Sequence, residues 1–273
     1  MFPAKFAVLI WEEMTKLVNL AVDRFDNYYK SFAILNPEQI QNMEIKHDHS
    51  YRVADLCYKL SSKLDWSEEE RTIAYITGLF HDIGRFKQLA EFNTFNDTQS
   101  VDHAEYSVEV LTEQHFLDEL DMHQKSTVLT AINLHNKRQL PGDLSADEMK
   151  FAALLRDADK LDILNVLTDY YTNQRSKPNH TLTWEMPKGT AITPVVARQA
   201  LNNLLVAKEN VANQLDIKVM QLSWVFDLNF KPSFQLLIEK RFLEKIYGTM
   251  PKNDTVIQIY RTIKVYTENK MLS

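Results

Sequence analysis

The chain has 273 residues, enough to bury one large hydrophobic core or a core with an extension. Its formal net charge of -6 argues against nucleic-acid binding, which needs a basic surface. No apolar run is long enough to cross a bilayer, so a membrane protein is not expected. With only 5 glycines and 8 prolines, the composition favours long helices over many short strands.

Helix-start signals recur along the chain and predict an all-α fold. Asn36 precedes a proline and is a typical N-cap. The pairs Ser67 with Glu70 and Ser145 with Glu148 fit the capping box, in which the two residues bond each other's backbone. The predicted helices cover about residues 5–33, 37–64, 68–82, 101–115, 123–136 and 146–172, followed by three or four more within 194–273.

The polar stretch 173–193 separates two predicted parts of the chain. It is long for a connection in a compact domain, which is typical of a lid or binding loop, and a short strand fits within 180–184. Residues 1–172 are predicted to form the helical core with an N-terminal helix. Residues 173–273 are predicted to form a lid-like loop and a C-terminal helical extension packed on the core. This extension shapes either a substrate pocket or a dimer interface, or it serves packing alone.

Histidine and aspartate interrupt four otherwise apolar helix faces. His49, His81, His135 and Asp159 each fall in register with apolar neighbours at helical spacing, and Asp82 directly follows His81. A buried aspartate is costly unless it is paired or bound to a metal. One shared cation would satisfy all of these groups, because imidazole and carboxylate are the usual ligands of divalent transition metals.

Spacing alone leaves ordinary structural roles open for these residues. A lone histidine such as His135 is more often a core or capping residue. The pair His81 and Asp82, at a helix end before Gly84, also fits a simple capping pair.

Three sequence motifs make the pattern specific. HSYRVA at 49–54, HDIGR at 81–85 and ADKL at 158–161 resemble, in order and spacing, the motifs of the HD-domain superfamily. The resemblance covers about residues 45–170. It implies an HD-domain helical bundle, here with additional C-terminal helices, whose metal ligands are His49, His81, Asp82 and Asp159.

Two further histidines resemble those of HD members that hold two metals. His103 lies in DHAEYS at 102–107 and His135 in INLHN at 132–136. Six protein ligands would then bind one or two divalent ions, namely manganese, iron, cobalt, nickel or zinc, with magnesium as a further option. Asp82 would bridge two ions, because a carboxylate has two oxygens to share. Alternatively, His103 contacts the substrate.

The sequence departs from one branch of the superfamily. The HD-GYP phosphodiesterases of cyclic dinucleotides carry a double histidine followed by a Gly-Tyr-Pro segment. Here NKRQLP at 136–141 follows His135 instead, which argues against a cyclic-dinucleotide substrate.

The resemblance implies a metal-dependent phosphohydrolase. The expected reaction is hydrolysis of a phosphate mono- or diester, of a nucleotide or a small phosphorylated metabolite, by metal-activated hydroxide. Asp82, Arg52 and Lys160 are the predicted catalytic residues. Arg52, Arg85, Arg156 and Lys160 are predicted to bind the substrate, because guanidinium and ammonium groups suit phosphate.

Two other functions fit the same ligands. Some HD-fold proteins with six such ligands are di-iron oxygenases, and others are catalytically silent regulatory modules. The expected partner is a small-molecule phosphate, with no nucleic acid or membrane, and a homodimer is allowed. Charged Glu12 and Lys16 interrupt the N-terminal stretch, and the only cysteine, Cys57, cannot form an internal disulfide, so a cytoplasmic location is expected.

Overall fold

The computed structural model describes residues 4–32, 36–172 and 186–272, with side chains from residue 14 onward. Within these ranges the chain forms helices joined by turns, without a strand, which confirms the all-α fold. None of the described helices combines the length and the hydrophobicity needed to span a membrane. The α-helices are α1 Ala4–Lys30, α2 Pro37–Lys63, α3 Glu68–Phe80, α4 Gly84–Phe92, α5 His103–Glu113, α6 Met122–Leu134, α7 Ala146–Thr172, α8 Pro194–Leu201, α9 Gln214–Ser223, α10 Lys231–Glu239, α11 Phe242–Gly248 and α12 Asp254–Leu272.

The predicted helix starts are confirmed. Asn36 caps α2 in a capping box, and Ser67 caps α3 in the same way through Glu70. Before α7, the Ser145 hydroxyl accepts from the Glu148 amide, while the Ser145 amide donates to the Glu148 carboxylate. Each box satisfies amides that the first turn of a helix leaves without a partner.

Two parts of the helix map differ from the prediction. Helix α4 was not predicted, because it has only 9 residues and its N-cap Ile83 makes no side-chain capping bond. Five α-helices, rather than three or four, lie in the described residues after 186. Arg241, with φ of 55°, separates α10 from α11 within what looks like one helical run. Residues 186–193 lie outside regular secondary structure, and the predicted strand at 180–184 falls outside the described residues.

The chain divides into two compact units, Met1–Asp159 and Lys160–Ser273. This boundary lies inside α7, whereas the sequence places a boundary after residue 172. The packing of a C-terminal extension on the helical core therefore stays a prediction.

The first unit is built around close helix pairs. Helix α2 packs on α3 and α4, α3 packs on α1 and α6, and α5 packs between α4 and α6. Two glycines allow the closest approaches. A Cβ added to Gly78 would lie 2.8 Å from Ala54 Cα of α2, and one added to Gly84 would lie 2.6 Å from the Ser107 nitrogen of α5. The fully buried rings of Phe25 and Phe80 also contact each other in this unit, with centroids 6.3 Å apart.

The second unit has its own core. Helix α12 packs against α8, α9, α10 and α11, and the buried side chains include Phe234, Phe242 and Ile263. A fully buried carboxylate, Asp216, accepts hydrogen bonds from the backbone amide and the hydroxyl of Thr193. These bonds connect the start of α8 to α9, so the buried Asp216 side chain joins two helices.

We expect the substitution Gly84→Ala to destabilise the first unit by about 1–3 kcal/mol, because the new methyl group meets backbone atoms of α5 that cannot rotate away. The measurement is the free energy of unfolding from urea denaturation. Gly142→Ala is the matched control, since no atom lies within 4 Å of an added Cβ there. Equal stabilities of the two variants would contradict the close approach of α4 and α5.

Candidate metal centre

Six side chains from five helices and their ends converge at one place in the first unit. His49 lies in the middle of α2, and Asp159 lies on α7. His81 follows the last residue of α3 and precedes Asp82, His135 follows α6, and His103 begins α5. All six were predicted as ligands. The side chain of Asp159, 17% exposed, is the most accessible of the six, whereas that of His81 is fully buried.

One group of ligands surrounds the Oδ2 atom of Asp82. This oxygen lies 3.7 Å from His49 Nε2 and 3.6 Å from His81 Nε2. Asp159 completes the group, because its Oδ1 atom lies 3.1 Å from His49 Nε2 and 3.7 Å from His81 Nε2. Two imidazoles and two carboxylates therefore point at a common volume.

A second group surrounds the other oxygen of the same carboxylate. Asp82 Oδ1 lies 3.6 Å from His103 Nε2 and 3.8 Å from His135 Nε2. The two imidazole nitrogens lie 3.0 Å from each other. The carboxylate of Asp82 thus stands between the two groups and faces each with one oxygen.

Hydrogen bonds at Nδ1 orient these imidazoles. His81 Nδ1 donates to the Gly78 carbonyl at 2.8 Å, and His135 Nδ1 donates to the Ile132 carbonyl at 2.6 Å. Since a carbonyl only accepts, the proton lies on Nδ1, and in the neutral ring Nε2 offers its lone pair to the centre. Burial, with nearby His103 and His81, lowers the pKa of His135 to about 3, which keeps this ring neutral near neutral pH.

His103 is held by a carboxylate instead of a carbonyl. Its Nδ1 lies 2.5 Å from Asp97 Oδ2. Asp97 also accepts from Arg85 at 2.8 Å and from Gln88 at 3.1 Å. Burial alone would raise the pKa of Asp97, but the bond from His103 and the charge of Arg85 hold it well below its ordinary value. Asp97 therefore accepts the hydrogen bond from His103 Nδ1 and fixes the orientation of this ring.

A network of side chains joins the start of α5 to the end of α6. Asp102 caps α5 by accepting from the Ala104 and Glu105 amides. The same carboxylate accepts from Asn136 at 2.8 Å and from Lys137 at 2.7 Å. Because these residues flank His103 and His135, the network sets the distance between the two histidines.

Lys46 is a contact of the centre that the sequence did not suggest. Its Nζ atom donates to Asp82 Oδ2 at 2.7 Å. Burial alone would raise the pKa of Asp82, but the charges of Lys46 and Arg85 hold it well below its ordinary value. Lys46 lies one helical turn before His49, a spacing that is too common on helices to identify it from sequence.

The arrangement fits divalent metal ions. His81 Nε2 and Asp82 Oδ1 are buried without a hydrogen-bond partner, a state that costs about 1–3 kcal/mol for each atom. Metal bonds of about 2.0–2.2 Å place neighbouring ligand atoms roughly 3–3.5 Å apart, close to the separations found here. The ligating atoms of His49, His81 and Asp82 lie within 4.8 Å of one another, as do those of Asp82, His103 and His135. The donor set of nitrogens and carboxylates does not identify the metal.

The predicted basic residues have different surroundings. Arg85 Nε lies 3.6 Å from Asp82 Oδ1, beside the centre. Lys160 Nζ lies 2.6 Å from Asp227 Oδ2. Arg52 is half-buried on α2. The catalytic or substrate-binding roles of these three residues stay predictions.

Arg156 is 2% exposed, and its guanidinium donates to carbonyls that α6 leaves open at its end. The Leu134 carbonyl accepts at 3.1 Å, and the Lys137 carbonyl accepts a shorter bond. These contacts favour a positioning role for Arg156, because they hold the segment that carries His135. The predicted contact of Arg156 with the substrate stays a prediction.

The geometry defines a candidate histidine and aspartate metal site on an all-helical fold. Residues 47–165 match the model of the family described as HD domain, and all six converging residues lie within that range. This part of the chain is therefore an HD domain, a class whose members are commonly metal-dependent hydrolases. No curated protein and no solved structure gives a significant match to the chain.

We expect His103→Ala to lower the metal content by one ion per chain, and Asp82→Ala to remove metal from both groups, because only Asp82 contacts both. The measurement is elemental analysis of protein purified after loading with manganese. His123→Ala is the control, since the His123 side chain is 65% exposed and pairs with Asp147 away from the centre. Equal metal content in His103→Ala and the unmodified protein would contradict the two-group arrangement.

Proposed function

We propose that the protein is a metal-dependent phosphohydrolase that cleaves a phosphate mono- or diester of a nucleotide or small metabolite. The observation that carries this proposal is the Asp82 carboxylate, which faces His49 and His81 with one oxygen and His103 and His135 with the other. A centre for two ions at a shared carboxylate is suited to phosphoryl transfer, in which charge develops on several oxygens together.

When bound, the metal ions supply Lewis acidity and lower the pKa of water. The chain supplies the geometry. Hydrogen bonds at Nδ1 of His81, His103 and His135 keep each Nε2 directed at the centre, so these three imidazoles do not have to reorient during turnover. Arg85, beside Asp82, is the proposed contact for the anionic oxygens of the substrate, because guanidinium geometry suits phosphate.

The proposal extends to further residues, to the substrate and to the location of the protein. Arg52 and Lys160 are kept as candidate catalytic and substrate-binding residues. A small-molecule phosphate is the proposed partner. A cytoplasmic location fits the single cysteine, Cys57, whose thiol is buried and whose pKa is raised by that burial.

We expect Asp82→Asn to reduce turnover of the best phosphate ester at least about a thousandfold, because the amide removes the charge that both ligand groups share. The measurement is phosphate release by the purified protein loaded with manganese, magnesium, iron or cobalt. Asp118→Asn is the control, because Asp118 is about half exposed and pairs with Lys125 outside the centre. Unchanged turnover in Asp82→Asn would contradict the proposal.

Metal content and oxygen consumption, measured on the same protein samples, separate the alternatives. A protein that retains iron and consumes oxygen together with an organic substrate, without releasing phosphate, would be an oxygenase. A protein that binds no metal under any loading condition would be a regulatory module.

A further inference from the structure

Lys46 and Arg85 approach the Asp82 carboxylate from two different helices. Lys46 of α2 lies 2.7 Å from Oδ2, and Arg85 of α4 lies 3.6 Å from Oδ1 through its Nε atom. Each oxygen of the shared carboxylate therefore has a permanent cation beside it as well as two imidazoles.

The ring of Phe95 lies beside both cations. Lys46 Nζ is 5.8 Å from its centroid, and Arg85 Cζ is 5.7 Å from it. An aromatic ring at these distances attracts cations through its π face. The ring thereby groups the ammonium and the guanidinium at the same edge of the centre.

These cations also retain capacity for a ligand. Arg85 uses NH1 to bind Gln88, the Phe95 carbonyl and Asp97, and its buried Nε lies 3.6 Å from Asp82 Oδ1. Lys46 carries three N–H donors on a flexible side chain. The Lys46 side chain is 21% exposed and that of Arg85 is 11% exposed, compared with 3% for Asp82, so both cations are more accessible to solvent than the carboxylate.

We propose that Lys46, together with Arg85 across Phe95, binds the anionic phosphoryl group of a phosphate monoester. This inference rests on the proposed function and adds the substrate class and a binding residue. Lys46 also opposes metal binding, because its positive charge offsets part of the negative charge that Asp82 offers to a cation.

The charges at the centre favour a monoester over a diester. The carboxylates of Asp82, Asp159 and Asp97 face the cations Lys46 and Arg85, and histidine ligands bind metals as neutral rings, which leaves one net negative charge. Two divalent ions turn this into three net positive charges. A phosphate monoester dianion offsets two of these charges, whereas a diester offsets only one.

The test measures two affinities of Lys46→Met in the full-length protein. Competition with a chelator gives the affinity for manganese, which we expect to rise about three- to tenfold. Calorimetric titration of the manganese-loaded protein with inorganic phosphate gives the anion affinity, which we expect to fall about tenfold or more. Opposite changes in the two affinities are not expected from a general loss of structure.

Lys87→Met is the matched control. Lys87 is 25% exposed, pairs with Glu109 and lies 4.6 Å from the Tyr106 centroid, so it shares the exposure and surroundings of Lys46 without touching the centre. Both affinities should stay unchanged in this variant. Lys46→Arg, which keeps the charge, should retain phosphate binding. Lys46→Gln, which also removes the charge, replaces Lys46→Met if the latter does not fold.

The outcomes separate this inference from the proposed function. Unchanged phosphate affinity in Lys46→Met, or a loss of phosphate affinity in Lys46→Arg as large as in Lys46→Met, would overturn the inference. Phosphate binding that depends on Lys46 in a protein that hydrolyses no ester would support the anion site and overturn the hydrolase proposal. A rise in KM in Lys46→Met that is larger for monoesters than for diesters would support both.

Discussion

The buried carboxylate of Asp82 is the constraint on which the rest of the centre depends. An ionised carboxylate with a 3% exposed side chain is costly to place in a protein interior unless charges and donors surround it. Here Lys46 bonds one oxygen, and four imidazole nitrogens lie within 3.6–3.8 Å of the two oxygens. The four imidazole nitrogens lie too far from the carboxylate oxygens to form hydrogen bonds with them. Their lone pairs and the carboxylate are therefore suited to binding metal ions.

Backbone carbonyls at helix ends provide much of the orientation of the centre. His81 and His135 each follow the last residue of a helix and bond a carbonyl of the preceding turn. The last turn of a helix leaves its carbonyls without partners. Each of these bonds therefore provides a donor for one such carbonyl and also fixes the orientation of the imidazole. Arg156 binds further open carbonyls after α6, which fixes the segment that carries His135.

Close helix packing brings the ligands within reach. Gly84, directly after the His81–Asp82 pair, lets its backbone lie against that of Ser107, and its amide donates to the Ser107 hydroxyl at 3.0 Å. Helix α5 thereby lies against the segment that carries Asp82, and His103 at its start contacts the Asp82 carboxylate. The glycine of the HDIGR motif thus has a steric role next to the candidate metal ligands.

The sequence by itself determined the helical class, the capped starts of α2, α3 and α7, and the six candidate ligands. A capping box joins residues only three positions apart, and an apolar stripe repeats within one helix. The helix starts and the inward-facing positions can therefore be predicted from local residue spacing. Only the tertiary structure decided which ligands share each oxygen of Asp82, that Asp97 holds His103, and that Lys46 lies beside the carboxylate. Lys46 and Asp82 are 36 positions apart, and their contact depends on how α2 packs against the end of α3. Distances of this kind are set by side-chain packing between helices, which residue spacing along one chain does not encode.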